Sequence, residues 1–147
     1  MIIKLTLPLP NMKLSSNQKK PYFLVGINKP NHKQLNIKNA DKDTGKYLTL
    51  EYLRKNKIII KQYNKKELEL LNLYEVLIFY RIKNNSDIDN TITSFKNMRD
   101  GIFLGLGIND KKVKIMHSVL DKDKDNPRLE YLLTDDIYLF RSIINGD

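Results

Sequence analysis

The chain has 147 residues, of which 41% are hydrophobic, and carries a formal charge of +9 at pH 7. This length suits one domain able to bury a core, and the lack of cysteine excludes disulfides, thiolate nucleophiles and zinc–thiolate sites. No apolar run approaches the roughly eighteen residues of a membrane helix, and the proline-interrupted N-terminus does not fit a signal peptide, so we expect a cytoplasmic protein.

Residues 1–9 alternate between apolar and polar side chains and predict a strand with Ile3, Leu5, Leu7 and Leu9 on one side. The two prolines at the end of this segment stop the strand. The following stretch, up to residue 45, is the least regular part of the chain. Within it, 19–30 fit either a short strand or a loop, and 36–46 predict a polar, turn-rich linker.

A helix is predicted over residues 46–66, where apolar side chains recur on one side. The opposite side carries a basic stripe at positions i, i+3, i+7 and i+11: Arg54, Lys57, Lys61 and Lys65. Residues 29–66 hold eleven basic against three acidic side chains, whereas 67–147 hold eleven against fourteen. Because a basic half beside an acidic half suits a polyanion partner, the stripe is interpreted as either a DNA contact or a solvated face.

Two aspartates follow the strand that is predicted at 74–82, a run rich in β-branched and aromatic residues. In an extended segment, residues i and i+2 point to the same side. We therefore expect Asp87 and Asp89 to converge on one point beyond the strand. A plain helix cap with a solvated neighbour is the alternative interpretation.

A helix is predicted next, with Asp89 or Asn90 as its N-cap and with an apolar stripe at three- and four-residue intervals. Lys96 and Asp100 lie away from that stripe, on the same face as Asp89. The helix should end around Gly105 and Gly107, since glycine lowers helix stability and adopts left-handed backbone easily.

Carboxylates gathered at the junction of a strand, a helix and a loop suit a hard divalent cation. Mg²⁺ prefers oxygen ligands and is commonly held by one or two carboxylates together with a substrate phosphate. This chemistry serves phosphodiester cleavage, for which Mn²⁺ is a possible substitute metal.

The C-terminal third predicts two strands, 113–120 and 128–133, joined as a hairpin by a polar turn. A short helix over 136–147 then buries its apolar side against its own sheet or against a dimer partner. His32 and His117 stand apart from other ligand-type residues and are interpreted as structural or surface residues. The whole pattern predicts an α+β domain in the order β-α-β-α-β-β plus a short C-terminal helix, with helices packed on one face of a mixed sheet.

The chain has Asp-x-Asp-Asn at 87–90, a lysine seven residues after the second aspartate, Asp-Gly-Ile at 100–102, Leu-Gly-Ile-x-Asp at 106–110 and the opening LPLPNMKLSSNQ at 7–18. These motifs resemble the RusA family of Holliday junction resolvases. The resemblance covers roughly residues 1–17 and 74–135. In some members the lysine stands where this chain has Thr93, and many have Asp-Asp where this chain has Asn109-Asp110.

The resemblance implies a bacterial or phage-encoded, Mg²⁺-dependent homodimer that cuts four-way DNA junctions by paired nicks. It makes Asp87, Asp89 and Asp110 the metal-binding and catalytic carboxylates, and Lys96 the catalytic lysine, which would stabilise charge on the phosphate. Asn90 and Asp100 are candidates for orienting the metal ligands. A two-fold dimer suits a four-way junction, because the junction itself is nearly two-fold symmetric.

Two other classes of function stay open from the sequence. A nucleic-acid-binding protein without catalysis would keep the basic stripe and would not need all three carboxylates. A purely structural or interaction protein would need neither. Cleavage of a four-way junction would distinguish the nuclease from both other classes. Salt-dependent DNA binding would distinguish the nucleic-acid-binding protein from the structural or interaction protein.

Overall fold

The computed structural model describes residues 1–11, 32–60, 62–83 and 87–147, without the side chains of residues 32–34. It has the predicted α+β fold, a four-stranded mixed sheet with helices packed against it. The segment 19–30, predicted as a strand or loop, lies outside the described residues. The elements, in chain order, are β1 Ile2–Leu7, α1 His32–Lys55, α2 Lys65–Leu70, β2 Leu73–Arg81, α3 Ile88–Leu106, β3 Val113–Lys122, β4 Arg128–Thr134 and α4 Ile137–Asn145.

The sheet has the strand order β1-β4-β2-β3. Strands β2 and β3 are parallel, with α3 as their crossover, and β4 is antiparallel to both of its neighbours. Strands β1, β2 and β3 therefore run in the same direction. We call the edge at which they end the carboxyl edge of the sheet, and the edge at which they begin the amino edge.

The predicted hairpin between β3 and β4 is wrong, because β4 lies between β1 and β2 and is separated from β3 by β2. The connection after β3 crosses the end of β2, where the N–H of Asp123 donates to the carbonyl of Arg81 at 3.0 Å. The central position of β4 buries Leu129, Tyr131 and Leu133. Alternation along a strand predicts which side is buried, but it does not say which strands lie beside it.

Strand β1 confirms the predicted alternation, since Ile3, Leu5 and Leu7 are buried and the residues between them are exposed. These side chains meet the apolar side of α3, whose buried residues include Phe95 and Ile102. The core thus lies between one face of the sheet and the pair of helices α1 and α3.

Helix α1 begins at His32, so the linker predicted at 36–46 is helical and the predicted start at residue 46 is wrong. The reason is tertiary: a Cβ on Gly45 would lie 2.1 Å from the carbonyl oxygen of Met98, and one on Gly101 would lie 1.9 Å from that of Lys42. The two helix backbones therefore touch. A polar helix with a weak apolar stripe is stabilised here by packing rather than by its own periodicity.

The predicted end of this helix at residue 66 is also wrong. Helix α1 stops at Lys55, and Lys57 has a positive φ of 53°. Residues 58–60 are three isoleucines and are not helical, in agreement with the low helix propensity of β-branched residues. A separate short helix, α2, follows, and its start is fixed by a capping box between Asn64 and Glu67.

Helix α4 packs on its own sheet, one of the two predicted alternatives. Its Phe140 is buried, and the ring of Phe140 lies 5.4 Å from that of Tyr74. Successive side chains of a strand point to opposite faces, and Glu75 faces α3, so Tyr74 and α4 lie on the other face of the sheet. The prediction that the helices pack on one face therefore holds for α1 and α3 and is wrong for α4. Among the described residues, no helix combines the length and the apolar character that crossing a membrane requires.

Candidate functional site

The first two predicted metal ligands lie at the carboxyl edge, at the start of α3. Asp87 is the N-cap, and its Oδ1 accepts a hydrogen bond from the N–H of Asn90 at 2.9 Å. Asp89 belongs to the first turn, so the predicted N-cap at Asp89 or Asn90 and the predicted extended geometry of the two acids are wrong. Both carboxylates are exposed, whereas Asn90 is buried. A side-chain acceptor at the N-cap stabilises the helix, which gives Asp87 a structural role as well.

The third predicted ligand, Asp110, lies at the amino edge. It opens a 3-10 turn, Asp110–Lys112, which is capped by Asn109 through a hydrogen bond from the N–H of Lys111 at 2.9 Å. The whole of α3, 19 residues long, separates Asp110 from Asp87, a span of about 28 Å along the helix axis. Within one chain, the structure therefore does not bring the three carboxylates together. Among the residues it describes, no group of three or more metal-ligating side chains is found.

Asp110 is held instead by Arg99. The Nη1 atom of Arg99 lies 2.9 Å from Asp110 Oδ2, while its Nε atom lies 2.9 and 3.0 Å from the two carboxylate oxygens of Glu75. Glu75 is 0% exposed and accepts a further hydrogen bond, at 2.7 Å, from the hydroxyl of Tyr131. The guanidinium also packs over the ring of Phe103, at 4.9 Å from its centroid. Arg99 thus links the buried sheet to the exposed turn that carries Asp110.

The charges in this network are stable because each buried group has partners. Burial alone would lower the pKa of Arg99, but the hydrogen bond and the charge of Glu75 outweigh it, so the pKa is raised and the guanidinium stays charged. Burial, and then the charge of Glu75, raise the pKa of Tyr131 well above 10.0. Tyr131 therefore remains a protonated hydrogen-bond donor at neutral pH.

The sequence contains one signal for this network. Glu75 is the acidic residue inside the apolar β2 run, and it shares its side of the strand with the buried Leu73, Leu77 and Phe79. A glutamate at an inward strand position is almost never fully buried without a partner. Nothing in the sequence identifies Arg99 and Tyr131 as its partners.

Lys96 and Asp100 share a face of α3, as predicted. The Nζ atom of Lys96 lies 3.2 Å from Asp100 Oδ2, in an i,i+4 pair whose lysine side chain is 65% exposed. An exposed pair of this kind contributes about 0–1 kcal/mol to the free energy of unfolding, so Lys96 can change partner at little cost.

Two adjoining surface pockets lie at the C-terminal end of α3. The first, about 410 Å³, is lined by the polar residues Lys42, Asp100, Asn109 and Asp110 and also by Gly107 and Ile108. The second, about 460 Å³, shares Gly107 and Ile108 and extends to α2. The predicted site is thus divided: Asp100 and Asp110 meet at this end of α3, and Asp87 and Asp89 lie at the other.

The predicted basic stripe does not run along one helix. Arg54 lies in the last turn of α1, Lys57 in the turn after it and Lys65 at the start of α2, all three exposed. Lys61 lies outside the described residues. Because the chain leaves the helix at Lys55, the 3.6-residue period that aligned the four side chains does not hold. Their role as DNA contacts stays a prediction.

The connection between β3 and β4, predicted as a polar turn, is held by an ion pair. The Nη1 atom of Arg128 lies 2.8 Å from Asp123 Oδ2, and the guanidinium packs 4.1 Å over the ring of Tyr80. The hydrogen bond from Arg128, followed by the one from the N–H of Asn126, lowers the pKa of Asp123. This turn lies at the carboxyl edge, beside the end of β2.

The pair that best fits a metal ion is Asp87 and Asp89. Both are exposed at the carboxyl edge, and Mg²⁺ is commonly held by one or two carboxylates that leave room for water and a substrate phosphate.

The chain matches no protein-family model and no curated protein.

Proposed function

We propose that the protein is a Mg²⁺-dependent endonuclease that cuts four-way DNA junctions as a homodimer. The observation that supports this proposal is the position of Asp87 and Asp89, exposed beyond the carboxyl ends of the parallel strands β2 and β3. In open sheets with parallel strands, ligands bind outside the carboxyl ends of the strands. The resemblance of the motif around these residues to junction resolvases gives the substrate class.

In this proposal each acidic side chain has a distinct task. Asp87 uses Oδ1 to cap α3 and offers its other oxygen to a cation, and Asp89 offers its carboxylate from the first turn. A bound Mg²⁺ would supply electrostatic stabilisation of the phosphate and a more acidic water. Lys96 would place its exposed ammonium against a phosphate oxygen after release from Asp100.

Asp110 enters the same site only if a second copy supplies it. Its separation from Asp87 by about 28 Å of helix means that one chain cannot direct both carboxylates to one ion. In a two-fold dimer, two equivalent sites each combine Asp87 and Asp89 of one protomer with an Asp110 of the other. Both copies then act on the junction, and each site is incomplete without its partner.

Cleavage of a synthetic four-way junction tests the proposal. Wild-type protein should produce paired nicks with millimolar Mg²⁺ or Mn²⁺ and none with EDTA, and a linear duplex of the same sequence should be cut far more slowly. Asp89→Asn should abolish cleavage, because it removes charge from the metal ligand and keeps its size. A variant that cuts at the normal rate would remove Asp89 from the site.

A nucleic-acid-binding protein without catalysis is the second candidate. The observation that favours it is that two of the three acids have structural partners, Asp87 as the cap of α3 and Asp110 in its ion pair with Arg99. Protein that binds the junction and never cuts it with either metal would favour this candidate over the nuclease.

A further inference from the structure

Segments from separate parts of the chain that carry lysines lie beside the C-terminal end of α3. We call these lysines the amino-edge lysines: Lys42, Lys65, Lys66, Lys111 and Lys112. Four of them are exposed, and Lys112 is half-buried. They belong to α1, to α2 and to the 3-10 turn after α3, and residues of these three segments line two pockets beside the C-terminal end of α3.

The two pockets show that these segments form one surface. Lys42 lines the first pocket with Asp110, the residue directly before Lys111. The second pocket joins Leu68 of α2 to Gly107 and Ile108, and those two residues also line the first pocket. The surface therefore runs without a break from α1, across the end of α3, to α2.

Two acids of this surface have ion-pair partners. Asp110 is paired with Arg99 and Asp100 with the exposed Lys96, while Glu67 of α2 accepts a hydrogen bond from the N–H of Asn64, which is a neutral group. In contrast, none of the amino-edge lysines has an ion-pair partner within the described part of the chain. Glu67 and Glu69 of α2 are outnumbered by the five lysines, so the surface carries a net positive charge.

We propose that the amino-edge lysines bind the sugar–phosphate backbone of DNA. Flexible, exposed ammonium groups suit phosphates, which need positive charge and not a fixed bidentate geometry. A backbone lying across this surface would also pass beside Asp110 in the first pocket. This assignment keeps Lys65 of the predicted stripe and adds four lysines that the sequence pattern did not connect. It rests on the proposed function only in taking DNA as the partner, and it does not depend on cleavage.

The test is DNA binding in EDTA over a series of salt concentrations, so that no cleavage occurs. The double variant Lys66→Gln, Lys111→Gln removes two charges from the surface. Its matched control, Lys4→Gln, Arg141→Gln, removes two exposed charges from β1 and α4. The slope of log K against log salt should flatten by about 0.9 for each lost phosphate contact in the first variant, and should not change in the control.

Each outcome has a separate meaning. An unchanged slope in the first variant, or an equal change in both, overturns this surface and leaves the nuclease proposal standing. Wild-type protein that binds DNA through this surface but never cuts a junction supports the surface and overturns the nuclease. Wild-type protein that binds no DNA overturns both, and binding to phosphatidylserine vesicles in its place would make the surface a membrane contact.

Discussion

Arg99 and Asp110 form an ion pair in which Nη1 lies 2.9 Å from Oδ2, and the same guanidinium is anchored by the fully buried Glu75. The predicted metal ligand of the amino edge is therefore fixed to the core of the sheet through one arginine. Since the side chain of Arg99 is only 15% exposed, its charge depends on these two carboxylates.

Removing the charge of Glu75 should strongly destabilise the fold. In Glu75→Gln the half-buried Arg99 keeps only Asp110 as an ion-pair partner, and breaking a buried pair costs about 3–5 kcal/mol of unfolding free energy. Urea denaturation measures the loss. The matched control is Glu69→Gln on the exposed surface of α2, which should change stability by less than about 0.5 kcal/mol. A loss in Glu75→Gln as small as in the control would show that the network carries no stability.

Tyr131 should make stability depend on alkaline pH. Its pKa is raised well above 10.0 in the folded state, so the unfolded chain loses this proton first as the pH rises. The stability due to this group is therefore complete below about pH 10 and decreases above it, by about 1.4 kcal/mol per pH unit until the folded-state pKa is reached. Tyr131→Phe has no hydroxyl to titrate, so its stability lacks this contribution to the pH dependence. Comparing urea unfolding of the two proteins between pH 9 and 11 measures it, and parallel curves would contradict the prediction.

The close contact of α1 with α3 should not tolerate a methyl group. A Cβ at Gly101 would lie 1.9 Å from a backbone oxygen of α1, which no side-chain movement relieves. We expect Gly101→Ala to cost about 3 kcal/mol of unfolding free energy, the upper part of the range for overpacking. Gly105→Ala is the control, because its nearest neighbour is the side chain of Thr49 at 3.1 Å, and it should cost less. Equal losses would mean that the helices separate easily.

Two substitutions of Asp87 should separate its role as the helix cap from its proposed role as a metal ligand. Asparagine caps a helix about as well as aspartate, so Asp87→Asn should keep the melting temperature while junction cleavage falls by orders of magnitude. Asp87→Ala should lose cleavage and also about 1 kcal/mol of stability, because no side chain accepts from the N–H of Asn90. Full cleavage by a folded Asp87→Asn protein would leave this residue with the cap alone.

Mixing two inactive variants tests whether the sites are shared between protomers. Asp89→Asn and Asp110→Asn should each be inactive alone. A mixed dimer has one shared site with both acids replaced and one with neither, so it should nick one strand of the junction. Sites built within one chain would leave every mixed dimer inactive. Co-expression with two different tags isolates the mixed dimer for the measurement.

Local patterns in the sequence determined much of the secondary structure. The alternation of β1, the apolar run of β2 and the end of α3 near Gly107 follow from neighbouring residues, because side-chain period and cap chemistry act over a few positions. The predicted N-cap of α3 lies two or three residues after the observed one, Asp87. The predicted proximity of Lys96 and Asp100 is likewise a consequence of helix geometry alone.

Only the tertiary structure decided where the acids lie and what holds them. The insertion of β4 between β1 and β2, the contact of Gly45 and Gly101 that supports α1, and the link from Arg99 to Glu75 join residues far apart in the chain. Such pairings depend on which buried surfaces fit together, and a one-dimensional pattern does not contain that information. The same packing directs α3 from one edge of the sheet to the other, and it therefore places Asp87 and Asp110, which the sequence motif groups together, at opposite ends of a helix.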